Sequence, residues 1–195
     1  MPFERLLAGR LFYAPCHALT YCTFLFGWGL RVAGQKNVPP TGPVLLAANH
    51  QSFFDPPLVG AAAPRPLTYL ARSSLWANKA LGRWIRFWGA VPIDRGFGKE
   101  GLQTVLGELD RGNVVLMFPE GERTHTGELQ PLKPGISLLL KRVTCPVVPV
   151  GVAGGFAAWP RHDKLPIPDP LPTASRGRSL AVAFGKPMAS ERFHG

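Results

Sequence analysis

His50 leaves a short apolar run and Asp55 follows five positions later, in Asn49-His50-Gln51-Ser52-Phe53-Phe54-Asp55-Pro56. Across a tight turn such a pair can form an Nδ1–H to carboxylate hydrogen bond. That bond fixes the imidazole tautomer and makes the other ring nitrogen the better base. A base needs a proton to take. No serine stands in a G-x-S-x-G turn, so a nucleophile elbow is not suggested. Cys145 lies directly before Pro146 in an apolar run, with no base near it in sequence. The economical chemistry is direct: His50 deprotonates a substrate hydroxyl, which attacks without a covalent enzyme intermediate. On its own, the pair reads equally well as a His and an Asp satisfying the amides of a turn.

Two further clusters carry chemistry. Ile93-Asp94-Arg95-Gly96 places an arginine beside a glycine, and Phe118-Pro119-Glu120-Gly121-Glu122-Arg123-Thr124 places another, followed by Lys133-Pro134-Gly135. Guanidinium donors match two oxygens of a phosphate at once. Gly121 would let a ligand approach the backbone closely. Either cluster alone is also a surface turn with an Arg–carboxylate pair of little energetic weight.

These residues need a scaffold, and the apolar runs supply one. Val44 to Ala48, Leu67 to Ala71, Ala90 to Ile93, Val114 to Phe118, Val147 to Val152 and Leu180 to Phe184 are short and continuous, the pattern of buried strands. Helical stretches lie between several of them: a Trp-rich one from Leu75 to Trp88, then Leu102 to Leu109 and Ile136 to Lys141. Strands alternating with helices predict an α/β fold with a central, largely parallel sheet flanked by helices. In such folds ligands collect beyond the carboxyl ends of the strands, where all three polar clusters fall. The Pro-rich stretch from Trp159 to Pro172 reads as a long surface loop.

Composition narrows the partners. The 195 residues carry 22 Lys plus Arg against 12 Asp plus Glu, for a net charge of +10, and 46% are hydrophobic. That hydrophobicity excludes a disordered chain, and 22 Gly with 21 Pro exclude a coiled coil. The pI is near 10.2, yet the mean hydropathy of +0.06 is too high for a nucleic-acid module with a dense hydrophilic basic face. A basic and apolar chain fits an anionic membrane surface or a phosphorylated substrate, with no nucleic acid. The three cysteines cannot all pair and show no C-x-x-C spacing, which predicts free thiols and no zinc site of that kind.

From Leu11 to Leu30 there is no Asp, Glu, Lys or Arg, with Arg5 and Arg10 before and Arg31 and Lys36 after. The segment is long enough to span a bilayer. Pro15, His17 and the rings of Tyr13, Tyr21 and Trp28 suit an interfacial position at least as well, and a buried core helix is the plainer reading. The turn-rich run from Asn37 to Pro43 then divides a membrane-associating segment, residues 1–36, from the main domain, residues 37–195. Lys79, Arg83 and Arg86 beside Trp76, Trp84 and Trp88 offer a second membrane contact, or an ordinary half-buried helix with a solvated basic face.

Taken together, a base for a hydroxyl, arginines for a phosphate and an apolar N-terminus describe a phosphorylated lipid alcohol as acceptor. Here the sequence resembles the glycerolipid acyltransferase family, typified by 1-acyl-sn-glycerol-3-phosphate acyltransferase. Asn49, His50 and Asp55 match its N-H-x-x-x-x-D block, and Ile93-Asp94-Arg95-Gly96 its second block. Phe118 to Thr124 match its F-P-E-G-x-R-S block, and Val148-Pro149-Val150 its fourth. The blocks are in family order and span about residues 38 to 190, most of the chain.

The resemblance implies transfer of a fatty acyl group from acyl-CoA or acyl-carrier protein to the free hydroxyl of 1-acyl-sn-glycerol-3-phosphate, giving phosphatidic acid. No metal or other cofactor is implied, and the setting would be the cytoplasmic face of a membrane. His50 would be the general base and Asp55 its orienting partner. Arg95, Glu120, Gly121 and Arg123 would form the acceptor-phosphate site, with Lys133 as an added contact. Backbone N–H groups near Gly121 are candidates for holding the thioester oxyanion. Two positions depart from the family pattern: Glu122 where Thr is common, and Thr124 in place of Ser. Glu122 would repel an anion unless a cation pairs with it, so an amino-lipid or another lysolipid stays open as acceptor. A non-catalytic lipid binder and a thioesterase or lipase are the rivals from other classes. The chain stops soon after Phe184-Gly185-Lys186-Pro187, where family members often continue, so a missing C-terminal part is also an expectation.

Overall fold

In a computed structural model, which describes residues 5–93, 98–170 and 179–193, the strands form one seven-stranded sheet. They are β1 (Arg31–Ala33), β2 (Val44–Ala48), β3 (Leu67–Arg72), β4 (Ala90–Ile93), β5 (Val114–Met117), β6 (Val147–Ala153) and β7 (Ala181–Phe184). The spatial order is β1-β7-β6-β2-β5-β3-β4, and every neighbouring pair is parallel except β6 with β7. The helices are α1 (Arg5–Trp28), α2 (Asp55–Ala62), α3 (Lys79–Phe87), α4 (Lys99–Asp110), α5 (Gly135–Leu140) and α6 (Gly155–Ala158).

Strand β2 is central and wholly apolar because both of its faces are covered. Val44, Leu46 and Ala48 join a cluster with Phe24 and Trp28 of α1 and Leu58 and Val59 of α2. Leu45 points the other way, into a cluster with Leu102, Val105 and Leu109 of α4 and Ile136 and Leu139 of α5. The period-two alternation of a strand sends successive side chains to opposite layers, so a run without polar residues is what a doubly covered strand requires.

Three sequence expectations change in detail. The 29–36 stretch, assigned to the membrane-associating segment, contains β1, which pairs with β7 at the sheet edge. The last turns of α1 are core: Phe24 and Trp28 are buried, and the Trp28 indole donates to the Ile167 carbonyl at 2.8 Å. Among the described residues no helix is long and apolar enough to cross a membrane. Finally, the Trp-rich stretch is not one helix. Residues Ser73–Ala77 form a 3-10 turn, and the Asn78 side chain accepts from Ala80 N and Leu81 N to start α3 anew.

Candidate functional site

His50 emerges from β2, and the Phe118-to-Thr124 block emerges from β5, the strand beside it. Their register pairs Ala47 with Met117. Continued three residues further, it brings His50 level with Glu120. The contact is made: Glu120 Oε1 accepts the His50 amide at 2.7 Å, and the His50 carbonyl accepts the Thr124 amide at 2.8 Å. Both backbone polar groups of His50 are therefore held by one loop. Asn49 fixes the other flank. Its side-chain amide donates to the Val152 carbonyl at 2.9 Å and accepts the Val152 amide at 2.7 Å, which extends the β2–β6 ladder with a side chain in place of a peptide.

Asp55 opens α2, where Pro56 and Pro57 cost no helical bond because the first amides of a helix have no acceptor within it. It is fully buried, and its Oδ2 accepts from the His50 Nδ1–H at 2.8 Å, the Gln51 amide at 2.5 Å and the Ser52 amide at 2.7 Å. Those donors stabilise the ionised carboxylate. With Nδ1–H committed to Asp55, Nε2 is the basic nitrogen. The Phe118 ring stacks on the imidazole at 4.0 Å between centroids and 17° between planes, so the ring can turn little.

Gly155, at the start of α6, was not singled out by the sequence. A Cβ there would stand 2.9 Å from Asp55 Oδ1 and 3.1 Å from the Ser52 Cβ. Any side chain would push the buried carboxylate out of line. We expect Gly155→Ala to lower the rate by ~10-fold or more, since a displacement of about 1 Å can cost as much as 10²-fold. Single-turnover rates beside a urea melt would check this; a variant as active as the parent would mean that Asp55 tolerates displacement.

Arg123 lies over the Phe53 ring, its guanidinium carbon 3.3 Å from the centroid. Its Nη1 is buried with no acceptor among the described residues. Burial first, then the nearby charges of Arg161 and Arg72, press its pKa downward, against a smaller opposing pull from Asp55. Such a crowded cation gains by meeting an anion. The expected repulsion from Glu122 is taken up by neighbours. Arg161 Nη1 approaches Glu122 Oε2 at 3.2 Å, Lys133 Nζ its Oε1 at 3.6 Å and His125 Nε2 its Oε2 at 3.7 Å. The hydrogen bond from Arg161 and the charge of Lys133 hold the Glu122 carboxyl below its ordinary range.

Other expected contacts are placed differently. Glu120 is buried and points inward, with Oε1 on the His50 amide and Oε2 on the Gln130 amide at 2.8 Å, so no carboxylate oxygen is left facing an acceptor. A carboxylate would also repel a phosphate. Gly121 has φ 71°, and a Cβ there would meet the Lys133 stem at 3.0 Å; the glycine opens a passage for Lys133. Its own N–H closes a turn onto the Phe118 carbonyl at 3.0 Å, which removes it from the oxyanion candidates. Arg95, with Asp94 and Gly96, lies outside the described residues. Arg72 and Arg161, which the sequence did not single out, contribute charge beside Arg123. Arg161 also donates to the Arg123 carbonyl at 3.0 Å from the Pro-rich loop, 109 or more positions beyond His50 in the chain.

An open groove of about 510 Å³ runs between Ala47, Ala48 and Asn49 on one side and Leu129 and Leu132 on another, and neither His50 nor Asp55 lines it. Pro149, Val150 and Phe184 complete a mostly apolar lining. Leu129 and Leu132 are among the most exposed apolar side chains described, at 71% and 60%.

Residues 29–153 match the family model described as Acyltransferase, which takes in β1 through β6 and both His50 and Arg123. The chain belongs to the acyltransferase family. This acyltransferase-family chain is 33% identical over 143 residues to 1-acyl-sn-glycerol-3-phosphate acyltransferase alpha of Mus musculus, covering 68% of this chain and 48% of that protein. It is 30% identical over 128 residues to the Bacillus subtilis 1-acyl-sn-glycerol-3-phosphate acyltransferase, covering 65% and 63%. It is also 38% identical over 103 residues to a lyso-ornithine lipid O-acyltransferase of Pseudomonas aeruginosa, covering 52% and 38%. The matched part of the chain thus covers between 38% and 63% of the length of these relatives. The crystal structure of the 1-acyl-sn-glycerophosphate acyltransferase PlsC from Thermotoga maritima superimposes with a TM-score of 0.75 at 20% identity, over 92% of this chain and 68% of that one, and so shares the fold.

Proposed function

We propose that this chain transfers a fatty acyl group from a thioester donor, acyl-CoA or acyl-carrier protein, to the hydroxyl of an anionic lysolipid, with 1-acyl-sn-glycerol-3-phosphate as the leading acceptor. The observation that carries the reading is the Asp55–His50 pair at a strand end beside the buried, unpaired Nη1 of Arg123. His50 Nε2 takes the acceptor's hydroxyl proton as its oxygen attacks the thioester carbonyl. The tetrahedral oxyanion collapses, the C–S bond breaks, and the imidazolium returns the proton to sulfur to give free thiol. Asp55 stabilises that imidazolium. Arg123, with Arg72, Arg161 and the expected Arg95, supplies positive charge for the phosphate. Lys133 is engaged with Glu122 and acts at longer range. The reaction takes place at the cytoplasmic face of a membrane.

Thiol release from palmitoyl-CoA in the presence of lysophosphatidic acid tests the proposal, with the full chain in detergent. Acceptor-dependent release that disappears in His50→Ala supports it. Release without acceptor would instead favour the thioesterase reading, and binding of lysolipid with no release from either donor the non-catalytic one.

A second reading keeps the chemistry and changes the acceptor to an amino-lipid. Glu122 favours it, since a carboxylate at the rim of the site could meet an ammonium group, and so does the likeness to a lyso-ornithine lipid O-acyltransferase. An acceptor panel on the parent, Glu122→Thr and Arg161→Ala separates the two. For a phosphate acceptor, Arg161→Ala raises KM by ~10-fold, the size of a lost charge-assisted hydrogen bond, and Glu122→Thr leaves or improves KM. For an amino-lipid acceptor, Glu122→Thr is the damaging change.

A further inference from the structure

Between Asp55 and Asp94 the chain has no acidic residue, yet it carries Arg65, Arg72, Lys79, Arg83 and Arg86. The last three lie on α3, and all are exposed. At 100° per residue, Lys79, Arg83 and Arg86 share one stripe of that helix, while Leu81, Trp84 and Phe87 share the next. Only Gly82 of α3 is buried; its missing side chain lets the helix sit against Trp76. The apolar stripe faces outward: Trp84 is 61% exposed, Phe87 45% and Leu81 37%, with Leu75 of the preceding turn at 40%.

An ordinary half-buried helix turns its large apolar residues to the core and its charges to water. Helix α3 does otherwise. It shows solvent an apolar ridge beside a basic one, and Trp88, just past its end, packs tilted against Tyr13 of α1, with 5.8 Å between centroids and 60° between planes. We propose that α3 and the turn before it form a docking face for an anionic lipid bilayer. Trp84, Phe87 and Leu81 enter the acyl–headgroup boundary, and Lys79, Arg83 and Arg86 lie along the anionic headgroups. Charge decides between occupants. A second copy of this chain would bring like charge to like charge, because the whole chain carries +10, whereas an anionic surface gains from each basic residue near it. Trp and Phe at such a boundary gain from burying apolar rings. The face stands on these residues alone and holds whether or not the chain transfers acyl groups.

Flotation of the full chain with vesicles tests it, using phosphatidylcholine alone and phosphatidylcholine mixed with phosphatidylglycerol. The variants are Arg83→Glu with Arg86→Glu, and Trp84→Ser with Phe87→Ser; all four side chains are exposed, and circular dichroism checks that each variant folds. Both pairs should weaken binding to the mixed vesicles by ~10-fold or more, consistent with the worth of a basic residue near an anionic surface. The charge pair should lose its effect in high salt. Binding by both variants equal to the parent's would overturn the proposal and leave α1 as the attachment. Variants that bind lipid normally but change the oligomeric state without lipid would also overturn it, and assign the face to a second copy.

Discussion

Replacing His50 by Ala is expected to lower the turnover number by ~10²–10⁴-fold, the range that a positioned general base contributes, with the fold retained. Asp55→Asn is the more informative partner. Oδ2 of Asp55 accepts from two backbone amides as well as from His50. An asparagine would therefore keep its carbonyl oxygen turned to the same donors, and His50 would keep its tautomer. What is lost is the negative charge that stabilises the imidazolium. We expect Asp55→Asn to fall short of His50→Ala, by ~10²-fold in turnover, with acceptor KM little changed. Steady-state thiol release over an acceptor range measures both. An asparagine variant as inactive as the alanine one would show that the tautomer had flipped and that the amides do not control the side chain.

The second large effect is expected at Glu120, for a reason the sequence does not show. Both of its oxygens accept buried amides, of His50 and of Gln130. Glu120→Gln keeps shape and volume but offers only one acceptor, so an NH₂ group must face an N–H. A buried donor left unsatisfied costs ~1–3 kcal/mol, which a urea or thermal melt would register. In the orientation that turns the NH₂ to the His50 amide, His50 is held from one side only, by Thr124. We expect turnover to fall by ~10–10²-fold, in line with the cost of misplacing a reacting group by about 1 Å, while KM for the acceptor stays near the parent value. If Glu120 met the acceptor phosphate instead, the variant would change KM and leave stability alone.

The two tests treat the N-H-x-x-x-x-D and F-P-E-G-x-R blocks as one object. Glu120 and Thr124 of the second block hold the backbone of His50 in the first. Thr124 is fully buried, and its hydroxyl accepts from Gly127 N at 3.1 Å, Thr126 N at 3.3 Å and Gln130 Nε2 at 3.3 Å. The hydroxyl that Thr and Ser share therefore organises the turn that carries Glu122 and Arg123.

Some of this was legible in the sequence. Apolar runs marked β2 and β4 at their observed limits, and β3, β5, β6 and β7 to within a residue or so. Strands β2 and β5 are continuously apolar because both faces are covered, whereas β6 stays apolar by composition although Pro149, Gly151 and Ala153 are exposed. The His50–Asp55 bond was legible too, since five residues across a tight turn leave the two side chains little choice. Strand β1 is only three residues long and lies at the sheet edge, too short to show a pattern. Helix α2 begins Asp-Pro-Pro and continues with small residues, which carry little helical periodicity.

The tertiary structure decided what depends on which strands are neighbours. Nothing local says that β5 lies beside β2, yet that pairing turns Glu120 from an expected ligand contact into the clamp on His50. The antiparallel return of β7 against β6 and the hydrogen bonds of the Pro-rich loop to the end of α1 bring Arg161 to Glu122. The same packing leaves only Gly155 able to fit against Asp55. Periodicity and motif spacing are properties of a few consecutive residues. Burial, close approach and the pairing of distant charges arise only when the chain has chosen its strand order. The sequence by itself determined which groups could do the chemistry; the fold decided which of them face the acceptor and which hold the others in place.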